Sequence, residues 1–231
     1  MALRSAAPLL VIMLAVSGCA GPEPAASPTA PPPATSTPTP TPTPEPTLPA
    51  VDELALAPGS LNLLVLGEPA PAADDPAAMI VFELDRCVEE RGLEPGDPGT
   101  GLWVAAPPYR SAEGRTFFQV GVNDAGLVTA LQVVGDSPVR TTEGIGIGSS
   151  VSDLLAAYPS ASAPIDAILT RLYTVTDGEH QLIFETSWAE GAGDGYWSED
   201  EVDEVVIMTA QSASAPFGAL WATDGGVGGC F

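Results

Sequence analysis

The chain contains no lysine and a single histidine, and only six arginines follow residue 18. Set against its Asp and Glu residues, this leaves a net charge of −23. Such a surface is repelled by the phosphates of duplex DNA or RNA, which excludes nucleic acid as a partner. It is repelled by anionic lipid headgroups for the same reason. The charge suits a soluble domain that attracts cations or basic partners. With His180 the lone imidazole, a Ser-His-Asp triad or a His-liganded zinc site has to use that residue. It falls in an expected hairpin turn, where a solvated polar residue is ordinary and a general base is poorly held. Long apolar runs are also missing. The longest, Ala6–Val16, falls short of the roughly 20 residues needed to cross a bilayer of about 30 Å.

That apolar run has a purpose of its own. Arg4 is the only charge before it, Leu9–Leu14 is its core, and Ser17-Gly18 are small enough for a peptidase cleft. Val16-Ser17-Gly18-Cys19 resembles a bacterial lipobox, the site where a lipoprotein precursor is diacylated on cysteine and cut just before it. The resemblance implies a signal peptide over 1–18, a mature chain beginning at Cys19, and a covalent diacylglycerol there. It implies no other cofactor, and a location on the outer face of the cytoplasmic membrane. Two acyl chains anchor stably where one is marginal.

Residues 19–50 follow as a Pro/Thr-rich tether, nearly strict Thr-Pro alternation over Thr35–Pro44. Proline removes the N–H and fixes φ, so the tether is expected to stay extended and solvated. At about 3.1 Å per residue it reaches roughly 90 Å. Its threonines permit O-glycosylation.

Residues 51–231 have the length of one domain, and the chain is 45% hydrophobic, enough for a core. With Cys19 taken by lipid, Cys87 and Cys230 remain as a pair in an oxidising compartment. A disulfide is the default there, two buried thiols the alternative. Either way no thiolate is left for zinc.

Turn signals and β-rich runs dominate this domain. Leu61–Gly67 reads as a strand or a turn of helix, and Ala70–Pro76 as a loop. Met79–Val88 fits both periods, with the β-rich Ile-Val-Phe favouring strand. Gly101–Ala105 is a short strand. Thr116–Val122 and Leu127–Val134 pair across Asn123–Gly126. Ser150 and Asp153 form a capping pattern ahead of a helix whose apolar face is Val151, Leu154, Leu155 and Tyr158, stopped by Pro159. Leu169–Thr176 and Gln181–Trp188 make a second hairpin across Asp177–His180. Val202–Ala210 and Phe217–Thr223 read as further strands. The expected fold is α+β: antiparallel meanders with one or two short helices packed on the sheet. Leu63–Gly67 then Leu102–Val134 echoes Ile145–Gly148 then Leu169–Ala210, an apolar-Gly lead-in followed by a meander. The echo points to a tandem duplication with halves of about 51–140 and 141–231.

Gly144–Pro159, with Leu172-Tyr173 and Leu182–Glu185, resembles the Gly-I-x-x-Gly-[ST]-helix-Tyr-Pro pattern of uncharacterised actinobacterial lipoproteins. In layout alone the domain is similar to the small α+β modules of the BamE and β-lactamase-inhibitor-protein kind. That likeness implies binding rather than catalysis.

Gly144-x-Gly146-x-Gly148 matches neither a dinucleotide fingerprint nor a Walker motif, and no βαβ unit surrounds it. The acidic run Ser198–Glu204 lacks the alternating pattern of an EF-hand loop, and reads as a solvated tip. Beside it, Trp188, Tyr196 and Trp197 with Glu199 and Asp200 form a candidate patch for a cell-wall glycan or an envelope protein. No catalytic residue and no metal ligand emerges. The function expected is therefore a membrane-anchored, non-catalytic binding module. The alternative is a small secreted hydrolase using carboxylates on a cell-wall or glycan substrate. An importer's solute-binding protein would need alternating strands and helices, which do not appear.

Overall fold

The structure is a computed structural model that describes residues 47–72, 75–97, 99–167, 169–189, 197–198, 201–215, 227 and 229–230. All of them fall in one unit, residues 45–231. The lipobox, nearly all of the tether and Phe217–Thr223 lie outside the described residues. The first strands are β1 (Ala55–Ala57), β2 (Ser60–Leu61), β3 (Leu64–Val65), β4 (Ile80–Glu83), β5 (Leu102–Ala105), β6 (Gln119–Val122) and β7 (Val128–Val134). They are followed by β8 (Arg140–Thr141), β9 (Ile165–Asp166), β10 (Thr170–Asp177), β11 (His180–Ser187) and β12 (Val205–Ser212). The two described helices are short, α1 (Val88–Arg91) and α2 (Val151–Ala157). Among the described residues no helix is long and apolar enough to cross a membrane.

Among the described residues the strands form three sheets. The largest runs β6-β7-β12-β11-β10-β9, wholly antiparallel; the second runs β3-β2-β1-β8; β4 and β5 pair alone. The β1–β8 pair is parallel, the one exception to the antiparallel pattern among the described strands. The described residues are thus more strand-dominated than the α+β expectation, with two short α-helices among them.

Several elements differ from the sequence reading, each for a local reason. Leu61–Gly67 is neither one strand nor a helical turn. Asn62 takes a positive φ of 50°, where Asn is tolerated, and folds the run into the β2–β3 hairpin. Met79–Val88 carries both of its periods in succession: β4, then a turn at Asp85 (φ 58°), then α1, closed by Gly92 in the left-handed conformation. The second hairpin turns on Gly178-Glu179 alone, so His180 is the first residue of β11 rather than a turn residue. Its ring lies against the β1–β2 turn, so close that a Cβ on Gly59 would meet Nδ1 at 2.9 Å.

Helix α2 forms where the capping pattern places it. The Ser150 hydroxyl accepts from the Asp153 N–H at 3.1 Å, and Tyr158 ends the helix before Pro159. Its apolar stripe is narrower than its spacing implies. Leu154 is fully buried and Tyr158 buried, Val151 packs partly on the core, and Leu155 is 43% exposed. Seven residues make two turns, and the position after Leu154 has already rotated out of the contact.

A main core cluster joins the sheets, and Leu172 with Ile183 forms a second, small one. Leu56, Leu61 and Leu64 of the small sheet meet Leu131, Val133, Leu182, Phe184, Met208 and Ala210 from one face of the large one. Leu154 and Tyr158 join this cluster, and the Tyr158 ring sits 5.2 Å from that of Phe184. The opposite face of the large sheet is buried yet polar, carrying Thr170, Gln181, Glu185, Gln132, Thr209 and Gln211. There the Gln132 amide donates to Thr209 Oγ1 at 3.0 Å and accepts from the Val227 N–H at 3.2 Å. Buried polar groups generally find such partners, whereas the Gln211 side-chain nitrogen is buried with none among the described residues. The Cys87 and Cys230 sulfurs meet at disulfide distance, 2.09 Å, with Cα atoms 5.1 Å apart.

Two lead-ins to the large sheet have the same hydrogen-bond pattern. The Gly67 N–H donates to Val128 O, the Val128 N–H to Glu68 O, and the Ala70 N–H to Gly126 O. Likewise the Gly148 N–H donates to Val205 O, the Val205 N–H to Ser149 O, and the Val151 N–H to Asp203 O. Gly67 (φ 82°) matches Gly148 (φ 79°), and Gly126 (φ 76°) matches Asp203 (φ 64°). The β6–β7 hairpin shifts register between Gly121 and Val122, the β11–β12 hairpin between Glu185 and Thr186. Where β7 meets β12, Gln132 and Thr209 face each other, each the fifth residue of its strand.

Candidate functional site

Of the expected aromatic–acidic patch, Tyr196, Glu199 and Asp200 lie outside the described residues, while Trp188 and Trp197 are placed. Trp188 follows the last residue of β11 and is half-buried. It does not enter the main core, as alternation with Leu182 and Phe184 would have it, because the strand ends at Ser187. Instead the Arg171 guanidinium stacks 4.4 Å above its ring, and Arg171 Nε donates to Asp166 at 2.8 Å. Its own Nε1 is buried with no hydrogen-bond partner among the described residues. Trp197 Nε1 donates to Leu169 O at 2.6 Å, next to Thr170, whose hydroxyl donates to the buried Glu185 at 2.9 Å. The β9–β10 edge thus holds a cation–π pair of the kind found at recognition surfaces. Arg171 was the residue missed by pattern reading, since nothing in Thr170-Arg171-Leu172 announces what lies across the strand.

The histidine lines a cavity of about 610 Å³ with Glu179, Asn123, Ser212 and Ser214. The Ser212 and Ser214 hydroxyls bond each other at 2.9 Å, and no hydrogen bond joins either to His180 among the described residues. A second cavity, about 410 Å³, contains Arg86, Arg115, Glu113 and Asp136. There Arg115 pairs with Asp136 at 2.8 Å, and Arg86 pairs with Glu83 at 3.7 Å. A third, about 220 Å³, lies beside β3 and is mostly apolar. No group of three His, Cys, Asp or Glu fit to hold a metal occurs among the described residues.

Elsewhere the Tyr158 hydroxyl donates a very short hydrogen bond to Glu143. Burial and that bond push the Tyr158 pKa up. Burial works against the Glu143 carboxylate, but the Thr142 and Tyr158 hydroxyls and its own backbone N–H outweigh it and hold its pKa below the ordinary value. This pair fastens the end of α2 to the loop before it, a structural duty. Gly144 and Gly148 adopt positive φ, and Ile145 enters the core, so the glycine repeat serves backbone shape.

No protein-family model matches the chain, and no curated protein and no solved structure matches it either.

Proposed function

We propose that this chain is a lipid-anchored, extracytoplasmic lipoprotein whose domain is a non-catalytic binding module of the cell envelope. The observation carrying the reading is how the cysteines divide. Cys87 and Cys230, 143 residues apart, come together at disulfide distance. Such pairs persist in oxidising compartments. Cys19, the remaining one, stands in the lipobox-like stretch. The tether then spaces the domain from the membrane toward a basic envelope protein or a cell-wall glycan, with Trp188 and Trp197 at the recognition edge.

The domain itself is read as a tandem duplication. Matching hydrogen bonds at Gly67 and Gly148, matching positive φ values, and bulges at corresponding places in the β6–β7 and β11–β12 hairpins support it. The two halves meet through β7 and β12 about a local twofold at Gln132 and Thr209. The second half keeps a helix after its lead-in, as in the lipoprotein pattern and in BamE-like modules. The first half has proline there.

The experiment is Cys19→Ser in the full chain, with metabolic labelling by a palmitate analogue and membrane fractionation. The variant is expected to lose label and leave the membrane fraction. Unlabelled wild type that still sediments with membranes would sink the reading.

A further inference from the structure

With no lysine in the chain and a single histidine, arginine supplies its side-chain positive charge, and six arginines follow residue 18. Two of them, Arg86 and Arg115, line the cavity of about 410 Å³ together with Glu113, Asp136, Phe117 and Gln119. Neither sits in a simple ion pair. Glu83 takes Arg110 at 2.8 Å and Arg86 at 3.7 Å, so two guanidiniums share one carboxylate. Arg110 is the better held, since its Nε also donates to Ala105 O at 2.7 Å. The Arg86 side chain is 58% exposed and has no other carboxylate in ion-pair reach among the described residues, so it carries the surplus positive charge. Arg115 has the reverse surroundings. Asp136 lies at 2.8 Å and Glu113 at 3.9 Å, so two carboxylates share one guanidinium. Glu113 is the looser partner and carries the surplus negative charge. In a chain of net charge −23, one cavity thus holds both a cationic and an anionic excess.

We propose that this cavity binds a small zwitterion, an ammonium and a carboxylate on one short backbone, with Arg86 receiving the carboxylate and Glu113 the ammonium. The planar fork of a guanidinium matches a carboxylate. The charge of the whole chain argues for the same class. A simple cation is drawn to the acidic surface anywhere and a simple anion is repelled, whereas a zwitterion gains only where both excesses meet. Two further residues favour an amino acid or a short peptide. Phe117 is partly buried against the core and offers an apolar wall to a ligand side chain. Gln119 Oε1 is buried with no hydrogen-bond donor among the described residues, a costly state for a polar atom. The terminal torsion of glutamine is soft, so a turn of the amide presents that oxygen to a ligand N–H. Arg86 directly precedes Cys87, whose bond to Cys230 fixes the backbone there and lowers the ordering cost of binding. The inference stands apart from the lipid anchor and from the Trp188 edge.

The test uses the full chain in nanodiscs of neutral phosphatidylcholine, with affinities read by saturation-transfer NMR near neutral pH. The probes are alanine, alanyl-alanine, and that dipeptide's N-acetyl and C-terminal amide derivatives. The amide is a net cation, so attraction to an acidic surface alone makes it the tighter binder. The cavity is expected to reverse that order, the free dipeptide binding at least ~5-fold more tightly than the amide and than the N-acetyl form. Arg86→Gln, on an exposed side chain, is expected to bring dipeptide and amide within ~2-fold of each other. Glu113→Gln is expected to do the same for dipeptide and N-acetyl form. Arg91→Gln, outside the cavity lining, is expected to leave both ratios unchanged. An amide that binds as tightly as the dipeptide, or no dipeptide binding at ~10 mM, overturns the proposal. So does a ratio that survives Arg86→Gln in a variant with wild-type circular dichroism, or one that Arg91→Gln abolishes equally. If a variant fails to fold, the order of the dipeptide probes on wild type still decides. Alanine that matches the dipeptide identifies a free amino acid as the ligand, and weaker alanine identifies a short peptide; both support the site.

Discussion

Replacing Leu154 with alanine removes the one side chain of α2 that is fully buried. In the core cluster that it joins, the Tyr158 and Phe184 rings are already in contact at 5.2 Å, which limits how far the core can close over a void. Leu→Ala changes in cores cost about 2–5 kcal/mol, the upper part where the site cannot collapse. A helix of two turns can shift somewhat, which places Leu154→Ala at about 3 kcal/mol. Leu155 is 43% exposed and lies outside the core cluster, so Leu155→Ala is expected to cost below about 1 kcal/mol. Ser152→Ala, on an exposed position, is expected to cost about 0.5 kcal/mol or less. Urea denaturation with the disulfide intact reads all three from the midpoint and slope. Equal, small effects at Leu154 and Leu155 would refute the packing of α2 and turn its apolar stripe into a candidate partner-binding face.

Three further expectations follow from the geometry. Gly67→Ala and Gly148→Ala meet open space, so each is expected to destabilise by about 1–2 kcal/mol through positive φ alone, and by like amounts; a large disparity in thermal melts would count against equivalent lead-ins. Cys87→Ser with Cys230→Ser opens a loop of 143 residues, and is expected to lower stability by about 5 kcal/mol in the chain-entropy model; an unchanged urea midpoint, or free thiols alkylated without reductant, would refute the bond. The lowered Glu143 pKa means its folded state favours the carboxylate, so its stabilisation is present above about 4.5 and lost as pH falls. Wild type and Glu143→Gln should therefore differ by less than about 1 kcal/mol near neutrality, an exposed carboxylate being screened, and converge in acid; a gap that widens on acidification would reverse the sign.

Local signals were legible where a single chemistry decided the outcome. Ser150 with Asp153 announced α2, and Asn123–Gly126 announced the β6–β7 hairpin. The breadth of the α2 stripe was not legible, because spacing alone does not tell which flank of a helix touches its neighbour. The polar second face of the large sheet was equally hidden. Gln181 and Glu185, on the same face as Ile183, read as solvent-facing residues flanking an apolar run, yet all five side chains from Gln181 to Glu185 are buried. Nor could composition reveal Arg171 over Trp188, a contact made across strand ends rather than along the chain.

The tandem echo shows why some long-range information was nevertheless present in the sequence. Residue identity barely links the two lead-ins: Leu63 and Val65 stand opposite Gly144 and Gly146, and Pro69 opposite Ser150. What persists is the backbone requirement. Gly67 and Gly148 both take a left-handed turn from which their N–H donates to the carbonyl of Val128 or Val205, each valine donating its own N–H back to the next residue, Glu68 or Ser149. Side chains on the outer rim are under no such constraint, and they differ in size.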